Sequence, residues 1–220
     1  MLTSTKDLQN VLFSNTMNIF NSLSFYSPII ISVSIVVFSM FTGTMIKSFI
    51  FFGWLFLITF IRIIALKGLD NSQTNNNIPP ICLTGLTEMF IPKDVTYSTY
   101  ILSFSMMYFI IPMVMVSTQF KTNAINYGVL AFFIAYIVLD LFVKHTLSCI
   151  PSIFSRNVVC SLLGGLFLGS LISGIIMYGS GAKKYLFINE LNTNKEVCSM
   201  PSKQQYKCKM YRNGELVGNV

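Results

Sequence analysis

The chain has 220 residues, of which 53% are hydrophobic and only 10% are charged, and its formal net charge is +7. A soluble domain would carry about 25% charged residues, so this composition excludes an ordinary water-soluble protein. One histidine and no CxxC sequence argue against a zinc site, and no cofactor is expected. The fold class that we expect is an all-α membrane protein, a bundle of about five transmembrane helices with a small C-terminal β-hairpin element.

Residues 1–24 precede the first long apolar run. Apolar side chains recur there at helical spacing between polar ones, which predicts an amphipathic helix on the membrane surface. Neither a basic n-region nor a small-residue cleavage site accompanies the apolar run that begins near Phe25. We therefore interpret that run as a retained anchor and not as a secretory signal.

Five apolar runs follow, and together they predict a transmembrane bundle over residues 25–182. Each run is close to the roughly 20 residues that cross a bilayer. The link between the first two runs is very short, which predicts a tight antiparallel hairpin, and Pro112 predicts a kink late in the third. The predicted spans are residues 25–45, 49–66, 100–116, 127–143 and 158–178.

The longest connection between predicted spans covers residues 67–98. Pro79 and Pro80 exclude a continuous helix there. Its apolar side chains predict an ordered loop or an interfacial helix that packs on the bundle. We favour a solvated loop over a headgroup-binding site for its three central charged residues, which are Glu88, Lys93 and Asp94.

Few charges lie close to the spans. Asp140 and Lys144 are four residues apart near the end of the fourth span, so they share a helix face and predict a structural ion pair. A carboxylate at membrane depth is often functional, which leaves a transport role for Asp140 as the alternative. His145 lies in no recognisable triad, so we expect a solvated or capping residue. Arg62, one turn from the end of the second span, is expected to reach the lipid headgroups.

Small residues recur at every fourth position of the fifth span. Such a face allows another backbone to approach closely. We favour packing inside this bundle over a homo-oligomer contact, and we interpret Cys160 in the same run as an inert packing residue. The predicted helix-packing residues are Ser161, Gly165, Gly169 and Ser173.

Residues 183–220 are predicted to form a basic β tail outside the membrane. Residues 185–188 predict a strand, and alternating side-chain types on both sides of Asn213-Gly214 predict a hairpin. Cys198 and Cys208 share this tail, and a disulfide between them and two free thiols stay open as alternatives. The tail cations that we expect to bind a partner are Lys203, Lys207, Lys209 and Arg212.

The two ends of a five-span chain lie on opposite sides of the membrane. Most of the basic residues are on the tail side, so the positive-inside rule predicts a cytoplasmic tail. A disulfide between Cys198 and Cys208 would argue for the reverse orientation. A basic tail suits anionic lipid or an acidic protein face. Nucleic acid is not an expected partner, because the tail is short and has few aromatic residues for stacking.

Two stretches of the chain resemble a known group of proteins. They are residues 80–113, PICLTGLTEMFIPKDVTYSTYILSFSMMYFIIPM, and the end, QQYKCKMYRNGELVG. With the small-residue fifth span, they resemble multi-span membrane proteins of nucleocytoplasmic large DNA viruses with icosahedral capsids. The resemblance implies a structural virion protein in the internal membrane beneath the capsid, inserted into a host membrane during assembly. It also implies that the tail contacts minor capsid or other membrane proteins, and that the chain is not an enzyme.

The helical layout also resembles membrane phosphatases of the lipid phosphate phosphatase type. That family carries a Ser-Gly-His motif, and this chain has none; residues 97–100 occupy the comparable helix start. The resemblance therefore implies a degenerate scaffold whose chemistry is lost. The alternative functions are a small transporter or pore that uses Asp140, and an enzyme that acts on lipid headgroups through Glu88, Lys93 and His145.

Overall fold

The structure, a computed structural model, describes residues 17–69, 79, 82, 94–120, 125–179 and 185–188, and the backbone of 209–212 and 215–219. For residues 67–69 and 120 it likewise describes the backbone alone. Six α-helices occupy most of the described part. They are α1 (Met17–Phe25), α2 (Ser27–Thr42), α3 (Met45–Leu69), α4 (Tyr97–Phe120), α5 (Tyr127–Thr146) and α6 (Arg156–Tyr178).

Four of these helices, α3 to α6, are long and apolar enough to cross a membrane. Helices α1 and α2 meet that test only as a pair, and the pair is bent by 75°. The bend precedes Pro28, which has no N–H to donate to a preceding carbonyl and whose ring crowds that carbonyl. The described chain is therefore a multi-pass membrane protein with four spans, or five if the bent pair counts as one. The prediction of an all-α membrane bundle is confirmed.

A two-residue link joins α2 to α3. Gly43 has a left-handed conformation with φ of 68°, which glycine adopts at little cost. The Thr44 amide donates to the Ser39 carbonyl at 3.0 Å and closes the end of α2. The Ser48 hydroxyl then donates to the Ile35 carbonyl at 3.3 Å, across the two helices. The two helices form the tight hairpin that the short link predicts.

Helix α4 lies at the centre of the bundle. Within its apolar window 61% of the residues are buried, against 33% for α5, 33% for α6 and 17% for α3. It continues as one helix through Pro112 and packs along α6. The other three spans are therefore less buried within the protein than α4 is.

Successive helices run in alternating directions, so the bundle has two distinct ends. The end that we call the loop end contains α1, the starts of α4 and α6 and the connection over residues 147–155. The opposite end, which we call the tail end, contains the α2–α3 link and residues 185–188. The loop end carries the polar contacts described below, and the tail end carries an aromatic core.

The polypeptide turns back onto the tail end after α6. Leu186 and Phe187 are both buried, and the Phe187 ring centroid lies 5.8 Å from that of Phe109 and 6.1 Å from that of Phe38. The strand predicted for residues 185–188 is wrong, because this segment forms a turn. A strand would direct consecutive side chains to opposite faces, whereas the turn buries two neighbours in one core.

The backbone of the C-terminal tail forms two short strands, β1 (Lys209–Arg212) and β2 (Glu215–Asn219). They pair antiparallel, with an irregularity between Met210 and Tyr211. Their side chains lie outside the described residues, as do Lys203, Lys207, Cys198 and Cys208. Partner binding by the tail therefore stays a prediction.

Candidate functional site

A run of buried polar residues leads into α4 and continues in its first turn; it begins at Asp94 and includes four hydroxyl side chains over residues 96–99. The Asp94 carboxylate accepts from the Thr96 amide at 3.1 Å and from the Thr96 hydroxyl at 2.8 Å. The Asp94 carbonyl accepts from the Tyr97 amide at 3.3 Å. An Asp at this position starts a turn by bonding the backbone ahead of it, so the sequence itself favours a helix start here. The run supplies donors to two separate networks.

The first network surrounds the carboxylate of Asp140 on α5. Lys144 Nζ lies 2.8 Å from Asp140 Oδ2, so the two residues form an ion pair one helical turn apart. The Thr99 hydroxyl donates to Oδ2 at 2.7 Å, and the Ser98 hydroxyl lies 2.9 and 3.0 Å from the two oxygens. The Ser24 hydroxyl of α1 donates to Oδ1 at 2.7 Å. Three helices therefore converge on one carboxylate.

Both charges of this network are almost completely removed from solvent and lipid. Asp140 is 0% exposed and Lys144 is 1% exposed. The Lys144 ammonium also contacts the hydroxyls of Ser98 and Thr99, the latter at 3.3 Å. A buried ion pair is tolerated only where further hydrogen bonds satisfy its remaining donors and acceptors, and these hydroxyls do so. The arrangement suits a fixed structural tie between helices.

A second hydrogen bond holds α1 at the same place. The Tyr136 hydroxyl of α5 donates to the Leu23 carbonyl at 2.9 Å. Leu23 is adjacent to Ser24, so two consecutive residues of α1 bond to α5. These two contacts fix α1, the first helix of the bent pair, at the loop end of the bundle.

The second network joins α3, α4 and α6 through Arg62. Arg62 Nε lies 3.0 Å from Asp94 Oδ2, and Nη2 lies 3.2 Å from Oδ1, a bidentate pairing. Nη2 also donates to Thr96 at 2.8 Å and to Ser161 at 2.6 Å. The guanidinium lies 4.8 Å from the centroid of the Tyr100 ring.

Two predictions about these residues are wrong. Arg62 does not extend freely to the headgroups, and Asp94 is not in a solvated loop, because each neutralises the other inside the bundle. Two opposite charges that share a position inside the bundle are tolerated when they bond each other and when other groups satisfy their remaining donors and acceptors, as Thr96 and Ser161 do here. In the sequence, the pair is indicated by a basic residue near the end of one span and an acidic residue just before the next, since both then lie at the loop end.

A disulfide joins Cys82 to Cys149 at the loop end, with a Cα–Cα distance of 5.6 Å. It belongs to a second apolar cluster that also contains Phe25, Val95, Ile150 and Val158. The Cys149 amide donates to the Lys144 carbonyl at 2.9 Å, so the disulfide adjoins the end of α5 that carries the ion pair. This pair was not predicted, because its two cysteines are 67 residues apart in the sequence; the disulfide considered there joins Cys198 and Cys208.

The four small residues predicted on the fifth span all face the interior. A Cβ at Gly169 would lie 2.5 Å from the Phe104 carbonyl oxygen, and one at Gly165 would collide with the Tyr100 carbonyl. Ser161 belongs to the Arg62 network, and Ser173 is buried. The face packs against α4 of the same chain, so it is not available for a homo-oligomer contact. Cys160, which was interpreted as a packing residue, is exposed instead.

The remaining candidate residues do not join either network. His145 is exposed in the last turn of α5. Glu88 and Lys93 lie outside the described residues. Within the described part of the chain, no three His, Cys, Asp or Glu side chains come together in a group that could hold a metal ion.

Comparisons of the chain with protein families, with curated proteins and with solved structures found no match. The fold and the contacts define a multi-pass membrane protein with two internal charge networks at one end of its bundle.

Proposed function

We propose that this protein is a structural component of the internal membrane of a large icosahedral DNA virus. The bundle anchors it, and the basic tail holds the capsid layer. The viral setting comes from the resemblance of residues 80–113 and of the C-terminal stretch. The observation that carries the structural role is the turn after α6, where Leu186 is 1% exposed and Phe187 is 3% exposed.

This turn gives the tail a mechanical connection to the membrane domain. Phe187 packs against Phe109 of α4 and Phe38 of α2, and Lys47 of α3 lies over its ring at 5.9 Å. A force applied to the tail is therefore shared among α2, α3 and α4 through this turn, and it does not act on α6 alone. A tether between a membrane and a shell requires such a connection.

The loop-end networks support the same role, because they hold the helices against one another. Arg62 joins three spans, and Asp140 joins two spans to α1. A transport role would require Asp140 to exchange its partners for a substrate, whereas four side chains occupy its oxygens. A headgroup enzyme would rest on His145, which lies apart from both networks. The contacts favour the structural role over both alternatives.

Two charge variants of the full chain test the proposal in its native membrane or particle. The first replaces the four tail cations with Gln. The second is a matched control with the same change in net charge, from +7 to +3 (7 − 4 = 3), made at four other basic residues. The tail set is Lys203, Lys207, Lys209 and Arg212, and the control set is Lys6, Lys67, Lys93 and Arg156.

Crosslinking of the unmodified protein should join its tail lysines to one abundant shell protein. The tail variant should lose co-purification of that protein by roughly tenfold or more, since several exposed ion pairs of about 0.5 kcal/mol each are removed. Membrane insertion should be unchanged, and the control variant should retain the shell protein. Equal retention by both variants, or crosslinks only within the chain, would contradict the proposal.

A further inference from the structure

We infer that the loop end of the bundle faces an oxidising compartment, and that the basic tail lies on the opposite, reducing side of the membrane. The disulfide between Cys82 and Cys149 is the first observation. Disulfides form and persist in oxidising compartments and are rare in the cytosol, where thiols are kept reduced. The inference does not depend on the proposed viral function.

The position of the tail follows from the number of spans after the disulfide. Cys149 comes directly after α5, and α6 is the one span that separates it from the tail. A single crossing places Cys149 and the tail on opposite sides. This step holds whether the chain has four spans or five, because the bent pair of α1 and α2 lies before the disulfide.

The distribution of charge supports the same orientation independently. By their order along the chain, six of the fifteen basic residues flank the loop end and nine flank the tail end. Two of the six, Arg62 and Lys144, are paired with Asp94 and Asp140 inside the bundle. The tail sequence carries seven of the fifteen basic residues. An excess of Lys and Arg marks the cytoplasmic side of membrane proteins. The excess here is on the tail side.

Formation of the disulfide requires an oxidant at the loop end. The thiolate of one cysteine attacks the disulfide of a thiol oxidoreductase and forms a mixed disulfide. The thiolate of the other cysteine then attacks the sulfur of the first cysteine in that mixed disulfide. This forms the disulfide between Cys82 and Cys149 and releases the oxidoreductase as a dithiol. The two protons and two electrons of the two thiols are transferred to the oxidoreductase. In the cytosol, thiol oxidoreductases are themselves kept reduced and break such bonds, so this step favours an oxidising compartment at the loop end.

The orientation also restricts the partner of the tail. A partner that binds the tail is expected on the reducing side of the membrane. If the proposed function fails, the orientation still stands, since it rests on the disulfide, the single crossing and the excess of basic residues on the tail side.

The five cysteines of the chain provide the test. The full chain, with Cys160→Ser to remove the exposed thiol of α6, is treated in sealed ER-derived microsomes with a membrane-impermeant polyethylene-glycol maleimide. Cys198 and Cys208 should react at once, which adds two polymer chains per protein. Cys82 and Cys149 should react only after detergent and reductant are both added, which raises the total to four.

The Cys82→Ala variant is a matched control. It frees the thiol of Cys149, which should stay protected in sealed vesicles and should react after detergent alone, without reductant. Reaction of Cys149 in sealed vesicles, or tail cysteines that react only after detergent, would overturn the orientation. Tail cysteines that require a reductant in sealed vesicles would also overturn it, because they would be disulfide-bonded themselves. The assay needs no shell protein, so its outcome is separate from that of the proposed function.

Discussion

The substitution Gly169→Ala probes the closest approach of two spans. A Cβ at this position would lie 2.5 Å from the Phe104 carbonyl oxygen and 2.9 Å from Met107 Cβ. Ordinary van der Waals contact begins at 3.4 Å, so α4 and α6 must separate locally by 0.9 Å (3.4 − 2.5) to accept the methyl group. The Phe104 carbonyl belongs to the backbone of a helix, so it cannot rotate away as the end of a flexible side chain would.

The cost follows from the contacts that the separation weakens. A gap of about 0.5–1 Å removes roughly a quarter to a half of the dispersion energy of an atom pair, which is about 0.15 kcal/mol at its optimum. For roughly 30 contacting atom pairs along the interface, the loss is about 1–2 kcal/mol. This agrees with the typical cost of about 1–3 kcal/mol for inserting a group into a packed core.

Gly174→Ala on the same helix is the matched control, because nothing lies within 4 Å of a Cβ built there. The two substitutions change helix propensity equally, so the difference between them isolates the packing effect. Unfolding in mixed detergent and SDS micelles, followed by far-UV circular dichroism, measures the free energy of unfolding of both variants. We expect Gly174→Ala to raise the free energy of unfolding by about 0.5–1 kcal/mol, the gain of alanine over glycine in a helix. Gly169→Ala should lie about 1–2 kcal/mol below Gly174→Ala, because it adds the packing cost to the same gain. Equal stability of the two variants would refute the packing argument.

Two further predictions concern the two ends of the bundle. Lys144→Met should lower the free energy of unfolding by about 3–5 kcal/mol, because it leaves the Asp140 carboxylate buried without its counter-ion. Adding Asp140→Asn should restore most of the loss in the same unfolding assay; a double variant as unstable as the single one would show that the charge is not the cause. At the tail end, Leu186→Ala should cost about 2–4 kcal/mol by leaving a cavity. It should also speed tryptic cleavage at the adjacent Lys183 and Lys184 in intact vesicles, and an unchanged cleavage rate would indicate that this turn does not hold the tail.

Features that depend on residues close together along the chain could be predicted from the sequence. Apolar runs near the thickness of the bilayer predict α3 to α6, and the structure extends each by a few residues, as with α5 over Tyr127–Thr146 against the predicted 127–143. The pairing of Asp140 with Lys144 is equally local, because residues four apart share a helix face. The four-residue spacing of small residues likewise identifies a packing face without showing which helix covers it.

Tertiary structure alone decided which distant groups meet. Ser24 and Asp140 are 116 residues apart, Arg62 and Ser161 are 99 apart, and the disulfide joins cysteines 67 apart. These contacts depend on the order in which the helices pack and on how each is rotated about its axis, which no local pattern of residues specifies. The turn at residues 185–188 has the same origin, because burial of two consecutive side chains against the end of the bundle overrides the local preference for a strand.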